Sequence, residues 1–221
     1  HDFNNLLTAI IGYSDLLLDR LVNEQDRREL NEVRKAAERA AWLTRQLLAF
    51  SRKQVLQPDV LDVNLVMIEI EKLIRRLVGE NVSLEVCPAA EAALVRADRG
   101  QLDQVLMNLA VNAKDAMPRG GRLRIEASLT VLLAPAVASE EPALAGPCVR
   151  VVVSDTGVGM DAETLAHLFE PFFTTKGRAQ ATGLGLATVY GIVRQTGGTI
   201  AVDSTPGKGT VFTLHFPRIP A

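Results

Sequence analysis

Four separated stretches of the chain carry polar and glycine-rich residues at spacings that could do chemistry. In Asn108-Leu-Ala-Val-Asn112-Ala-Lys-Asp115-Ala, polar residues recur at intervals of four and three within an apolar helical pattern, so they share one face. Polar groups on an inward face need partners. Magnesium takes oxygen ligands and keeps several waters beside phosphates, so the amide oxygen of Asn112 suffices as its protein ligand. Asp155-Thr-Gly157-Val-Gly159-Met160 follows an apolar strand pattern. An acid there suits a purine exocyclic amine, the glycines let a ring approach the backbone, and Met160 fits against the ring face.

The third stretch, Phe169-Glu-Pro-Phe172-Phe173-Thr174-Thr175-Lys176, runs into small polar residues and reads as a lid on an aromatic base. Lys176 and Arg178 are its phosphate-reaching cations, while Phe172 and Phe173 taken singly suit plain core. The fourth, Thr182-Gly183-Leu184-Gly185-Leu186, opens a helix whose free N–H groups and positive end attract a triphosphate. Thr210, in Gly207-Lys-Gly209-Thr210, closes the adenine pocket through its hydroxyl. Each piece alone has a plainer reading: asparagines capping loops, an Asp-Gly turn after a strand, a simple hairpin.

A chemically competent imidazole stands at His1. Apolar residues at Phe3, Leu6, Leu7, Ile10, Tyr13, Leu17 and Leu21 predict a helix with one apolar stripe. Phe3 lies about 200° further round than His1, so the ring points away from that stripe. A neutral imidazole accepts a phosphoryl group near neutral pH, and Asp2 can orient it or take its proton. Asn5 shares nearly the same face. After a polar break at Asn23–Asp26, Leu30, Val33, Ala37, Ala40, Leu43, Leu47 and Phe50 predict a second helix ending near Lys53. Two such helices bury little, so a dimeric four-helix bundle is expected.

The rest must position the four stretches. A linker over 57–62, with Pro58 as hinge, separates a helical domain, 1–56, from a second domain, 63–221. There the patterns predict helices near 65–78, 100–116, 162–168 and 184–195. Strands are expected near 82–87, 93–96, 122–132, 149–154, 199–204 and 210–216, the last two paired around Pro206-Gly207. The unpatterned Ala/Pro-rich run 132–147 reads as a loop. The fold class is α+β: a helical hairpin, then an α/β sandwich with helices on one face of a mostly antiparallel sheet. With 26 acidic and 24 basic residues, no global field favours nucleic acid or an anionic membrane. No apolar run spans a bilayer. Cys87 and Cys148 are isolated, which fits a reduced cytoplasmic compartment. A chain that opens with His1 inside a helical pattern is expected to be a piece of a longer protein, a sensor or a membrane anchor being the kind of segment expected upstream.

The order and spacing of these pieces, behind His-Asp on a helical hairpin, resemble the bacterial two-component sensor histidine kinases along essentially the whole chain. The opening His1-Asp2-Phe3-Asn4-Asn5-Leu6-Leu7, with the stretch Phe169 to Lys176, resembles the subgroup often found in hybrid kinases. The second domain resembles the gyrase-like ATPases. The resemblance implies ATP and Mg2+ as cofactors, His1 as phosphoacceptor, Asp2 as its acid/base neighbour, and Asn5 as the residue that positions water for dephosphorylating a partner. It implies Asn112 on magnesium, Asp155 on adenine, and Gly183 with Gly185 against the phosphates. The implied partners are a second copy of the chain and the receiver-domain aspartate of a response regulator, separate or fused. Two positions depart from the relatives. Gyrase-type proteins carry glutamate where Asn108 stands, and an amide cannot act as that base. Many kinases carry proline where this chain has Leu6, so a kink there is less expected.

Overall fold

The computed structural model describes residues 2–18, 20–21, 23–34, 37, 57–133, 144–175 and 182–220, and of 2–5 and 8 the backbone alone. His1, Lys176, Arg178, the expected helix end near Lys53 and most of the run 132–147 lie outside the described residues. The chain divides into two units, 1–55 and 56–221.

In the first unit, α1 spans Asp2–Leu18 without a break at Leu6. It stops short of the expected Leu21 because the chain turns there: the Arg20 and Leu21 N–H groups both reach the Leu17 carbonyl. Asn23 then accepts the Gln25 N–H at 2.8 Å, capping α2, whose described residues are 24–34 and 37. Asp15 and Arg34 bridge the two helices at 3.4 Å. Much of the apolar stripe of α1 stays open to solvent at Leu6, Ile10, Tyr13 and Leu17.

The second unit starts earlier than the sequence pattern suggests. Asp59–Asp62, expected to be linker, forms strand β1. Asp62 also caps the next helix, α3 (Val63–Val78), by accepting from Asn64 N, and it takes the Ala93 N–H at 3.1 Å. Strand β2 (Val82–Cys87) and strand β3 (Leu94–Ala97) follow, with β3 antiparallel to β1 in a small sheet. Asp98 caps α4 (Arg99–Ala116), which carries the asparagines. Strands β4 (Gly121–Leu132) and β5 (Gly146–Asp155), short α5 (Ala162–His167), α6 (Gly185–Gln195), and strands β6 (Thr199–Thr205) and β7 (Gly209–Pro217) complete the unit.

The main sheet runs β2-β4-β5-β7-β6. Only the β2–β4 pair is parallel. Along β4, Leu123, Ile125 and Ala127 are buried while Arg122 and Arg124 face out. The buried set packs with Val66, Ile70 and Ile74 of α3, Leu106 and Leu109 of α4, and Val189 and Val193 of α6. One face is therefore the core and the other is wet, the alternation expected of a largely antiparallel sheet covered on one side.

Candidate nucleotide site

Asp155 closes β5, and the register sets it opposite Leu123 on one side and Thr210 on the other, on the helix-covered face. It is 8% exposed and Thr210 4%. Oδ1 accepts the Gly157 N–H at 2.8 Å. Burial pushes the Asp155 carboxyl up from its ordinary value, against the pull of the Gly157 and Thr210 backbone N–H groups. Here is an acceptor aimed into a dry place, the requirement for reading an amine.

The strand-end loop is bolted to the end of α4. Val158 N–H donates to the Ala116 carbonyl at 3.0 Å. A β-carbon on Gly157 would lie 2.7 Å from both the Ala116 side chain and its carbonyl. Gly159 has φ 67, and a β-carbon there would collide with the Thr205 carbonyl. Backbone packing therefore leaves no room for a side chain at either position. From the other side, Gly207 N–H reaches the Val158 carbonyl at 2.7 Å, and Met160 N–H reaches Ser204 Oγ at 2.9 Å. Met160 itself is half-buried against the core.

On α4 the three polar residues grade outward. Asn108 is 2% exposed and donates through Nδ2 to the Gly185 carbonyl at 3.2 Å, while Asp115 lies at the surface. Asn112 is half-buried, and its Nδ2 is buried with no hydrogen-bond partner. Nitrogen and oxygen of an amide exchange places by a half-turn, so that position presents an acceptor as readily as a donor. A buried amide end without a partner fits a ligand completing it, and an oxygen there suits magnesium.

Asn108 ties α4 to the start of α6. That helix opens at Gly185 with Leu184 at the cap and no side chain capping it. Thr182 Oγ1 takes the Leu184 N–H at 3.4 Å, and the first helical bond runs from Thr188 N–H to the Leu184 carbonyl. Among the described residues, the N–H groups of Gly185, Leu186 and Ala187 thus begin a helix without a side-chain cap, which suits an anion-binding end.

Phe172 and Gly183 join the aromatic stretch to this helix. Phe172 N–H donates to the Gly183 carbonyl at 3.0 Å. Both residues are left-handed, with φ 68 and 67, and a β-carbon on Gly183 would strike the Phe172 backbone. Phe172 is 67% exposed, so the plain-core expectation fails for it. Phe169 packs on Tyr190 and Phe173 on His167 instead. His167 Nδ1 meets Glu170 at 2.7 Å, and that bond pushes the imidazole up. Thr174 is half-buried and Thr175 exposed. Asp2 and Asn5 lie on the α1 backbone, with side chains outside the described set.

Sequence reasoning missed Ser204, Tyr190 and His167. Ser204 was within reach: a hairpin centred on Pro206-Gly207 pairs it with Thr210, as the register confirms.

Residues 97–220 match the family described as histidine kinase-, DNA gyrase B-, and HSP90-like ATPases, and residues 1–55 match the His Kinase A (phospho-acceptor) domain. The chain belongs to the sensor histidine kinases. Sensor kinase CckA of Brucella abortus (strain 2308) is 46% identical to this histidine kinase over 220 residues, covering 99% of this chain and 23% of its own. Sensor histidine kinase ZraS of Escherichia coli (strain K12) is 32% identical over 219 residues, covering 98% and 43%. The chain thus spans less than half the length of these curated relatives. Among solved structures, full-length ShkA in complex with AMPPNP aligns with TM-score 0.71 at 25% identity, over all of this chain and 45% of its own. The catalytic domain of histidine kinase ThkA aligns with TM-score 0.55 at 28% identity, over 73% and 96%. Among the described residues of this kinase, no helix is long and apolar enough to cross a membrane.

Proposed function

We propose that this chain uses ATP to phosphorylate its own His1 and passes the phosphoryl group to a receiver-domain aspartate of a response regulator, separate or fused. The observation that carries this reading is the continuous set of backbone and side-chain contacts joining Asn108, Ala116, Asp155, Gly183, Gly185 and the β6–β7 hairpin. The four stretches form one site, with an acidic purine reader at one end and an uncapped helix start at the other.

In the proposed mechanism Asp155 accepts from the adenine amine, with Thr210 beside it and Met160 near the base. Leu184 and Leu186 shape the helix start, whose N–H groups, with Gly183 and Gly185, receive the phosphates. Thr174, Thr175, Lys176 and Thr182 flank them, with Asp115 at the rim. Asn112 would hold Mg2+, which when bound neutralises phosphate charge. An imidazole nitrogen of His1 attacks the γ-phosphorus, the bond to the bridging oxygen breaks, ADP leaves, and Asp2 takes the ring proton. The two units must move relative to each other in the cycle. Asn108 is an amide committed to the Gly185 carbonyl, so no base there activates water and transfer prevails over hydrolysis. Asn5 would position water when the kinase dephosphorylates its partner. The open α1 stripe fits a homodimer, and use of ATP fits a cytoplasmic location.

The test is incubation with γ-labelled ATP and magnesium. Wild type is expected to gain acid-labile label; His1→Gln loses label while still binding ATP; Asn112→Ala loses both. Steady phosphate release in excess of labelled histidine would overturn the kinase reading.

A further inference from the structure

The strand register sets Asp155 of β5, Thr210 of β7 and Ser204 of β6 abreast in one row across the sheet. The row lies on the helix-covered face, since its next member is Leu123, fully buried. Ser204 is the least noticed of the three and the most connected. Its Oγ lies 2.9 Å from Met160 N, 2.9 Å from the Gly209 carbonyl and 3.0 Å from Thr210 Oγ1.

Counting hydrogens fixes the direction of every bond. An amide N–H only donates and a carbonyl only accepts, while a hydroxyl has one hydrogen and two lone pairs. Ser204 therefore accepts from Met160 and spends its own hydrogen on Gly209. The hydrogen between the two hydroxyls must then come from Thr210. Thr210 Oγ1 keeps lone pairs to accept with and has no hydrogen left to give. The Asp155 carboxylate next to it is also an acceptor, and both residues are nearly sealed from water.

We infer that Ser204 is a positioning residue for base recognition: it holds the Thr210 hydroxyl as an acceptor, so the row reads a 6-amino purine and rejects a 6-oxo purine. The inference rests on the proposed binding of adenine at Asp155 and adds the origin of the preference. An inosine ring presents a carbonyl oxygen where adenine presents an amine. It would meet two acceptors and no donor, and a site built for a hydrogen bond discriminates strongly against a base that cannot make it.

The experiment is calorimetric titration of the full chain with ATP and with ITP. Wild type is expected to prefer ATP. In Ser204→Ala the Thr210 hydrogen is released to face a 6-oxo group, so the ATP-to-ITP affinity ratio should shrink by about tenfold. Ser204→Thr keeps a hydroxyl at the same place and should restore the ratio. Thr210→Val removes the acceptor while leaving Ser204 its bonds to Met160 and Gly209, and should also narrow it, which serves if Ser204→Ala does not fold. Equal weakening toward both nucleotides in Ser204→Ala, or an unchanged ratio in Thr210→Val, overturns the inference while leaving ATP binding at Asp155 standing. A wild type that binds neither nucleotide overturns the site assignment itself, and this inference with it.

Discussion

Asp155 is held where its charge is expensive. Because its folded-state pKa is raised above the unfolded value, the associated stabilisation is present below the unfolded pKa, about 4, and is lost as pH rises through the folded one. At neutral pH the ionised group therefore costs stability in the nucleotide-free kinase. Asp155→Asn is expected to melt a few degrees higher than wild type at pH 7, with the difference vanishing below pH 4, and to bind ATP about tenfold more weakly or worse. Melting curves across pH and an ATP titration check both; a lower melting point at pH 7 contradicts the argument. Residue types such as Asp155 and Asn112 were legible from polarity in an apolar pattern. What stayed hidden was direction: which end of the Asn112 amide lacks a partner, and which hydroxyl of the Ser204–Thr210 pair gives its hydrogen, since both depend on neighbours far away in the chain.

Between elements, the Phe172–Gly183 contact is the junction on which the anion-binding helix start depends. Gly183→Ala would force a β-carbon into the Phe172 backbone at a left-handed position and should destabilise the second unit by about 1–3 kcal/mol. It should also weaken ATP, because Leu184 and Gly185 follow directly. A normal melting point with normal ATP affinity would show that the contact is dispensable. Long periodic elements such as α4 were placed nearly to the residue by pattern alone. Strand β1 was not, for a physical reason: four residues give too short a window for a period of two, and its partner β3 lies more than thirty residues onward. The glycines were recognised, but that Gly157, Gly159 and Gly183 also press against remote backbone could not be read from their neighbours in sequence.

At the scale of the molecule, the change of pattern near Pro58 lies close to the division of the chain into units 1–55 and 56–221, whereas the strand order was not legible. Nothing local in β2 says that it lies parallel to β4 at the sheet edge, because pairing is settled by how the whole helical layer covers one face. The open α1 stripe belongs to this scale too. Sedimentation of the chain is expected to give a dimer, and Leu6→Glu with Ile10→Glu should give a monomer that still binds ATP; a wild-type monomer at micromolar concentration would refute the bundle. The clasp between Phe172 and Gly183 carries one more consequence. Since that hydrogen bond already holds the two ends together, lengthening the chain between them costs only about 0.6 kcal/mol for each doubling. Added residues between those two ends thus weigh little on the domain's folding, which leaves the length of the chain there free to differ from one sister enzyme to the next without rebuilding the scaffold beneath.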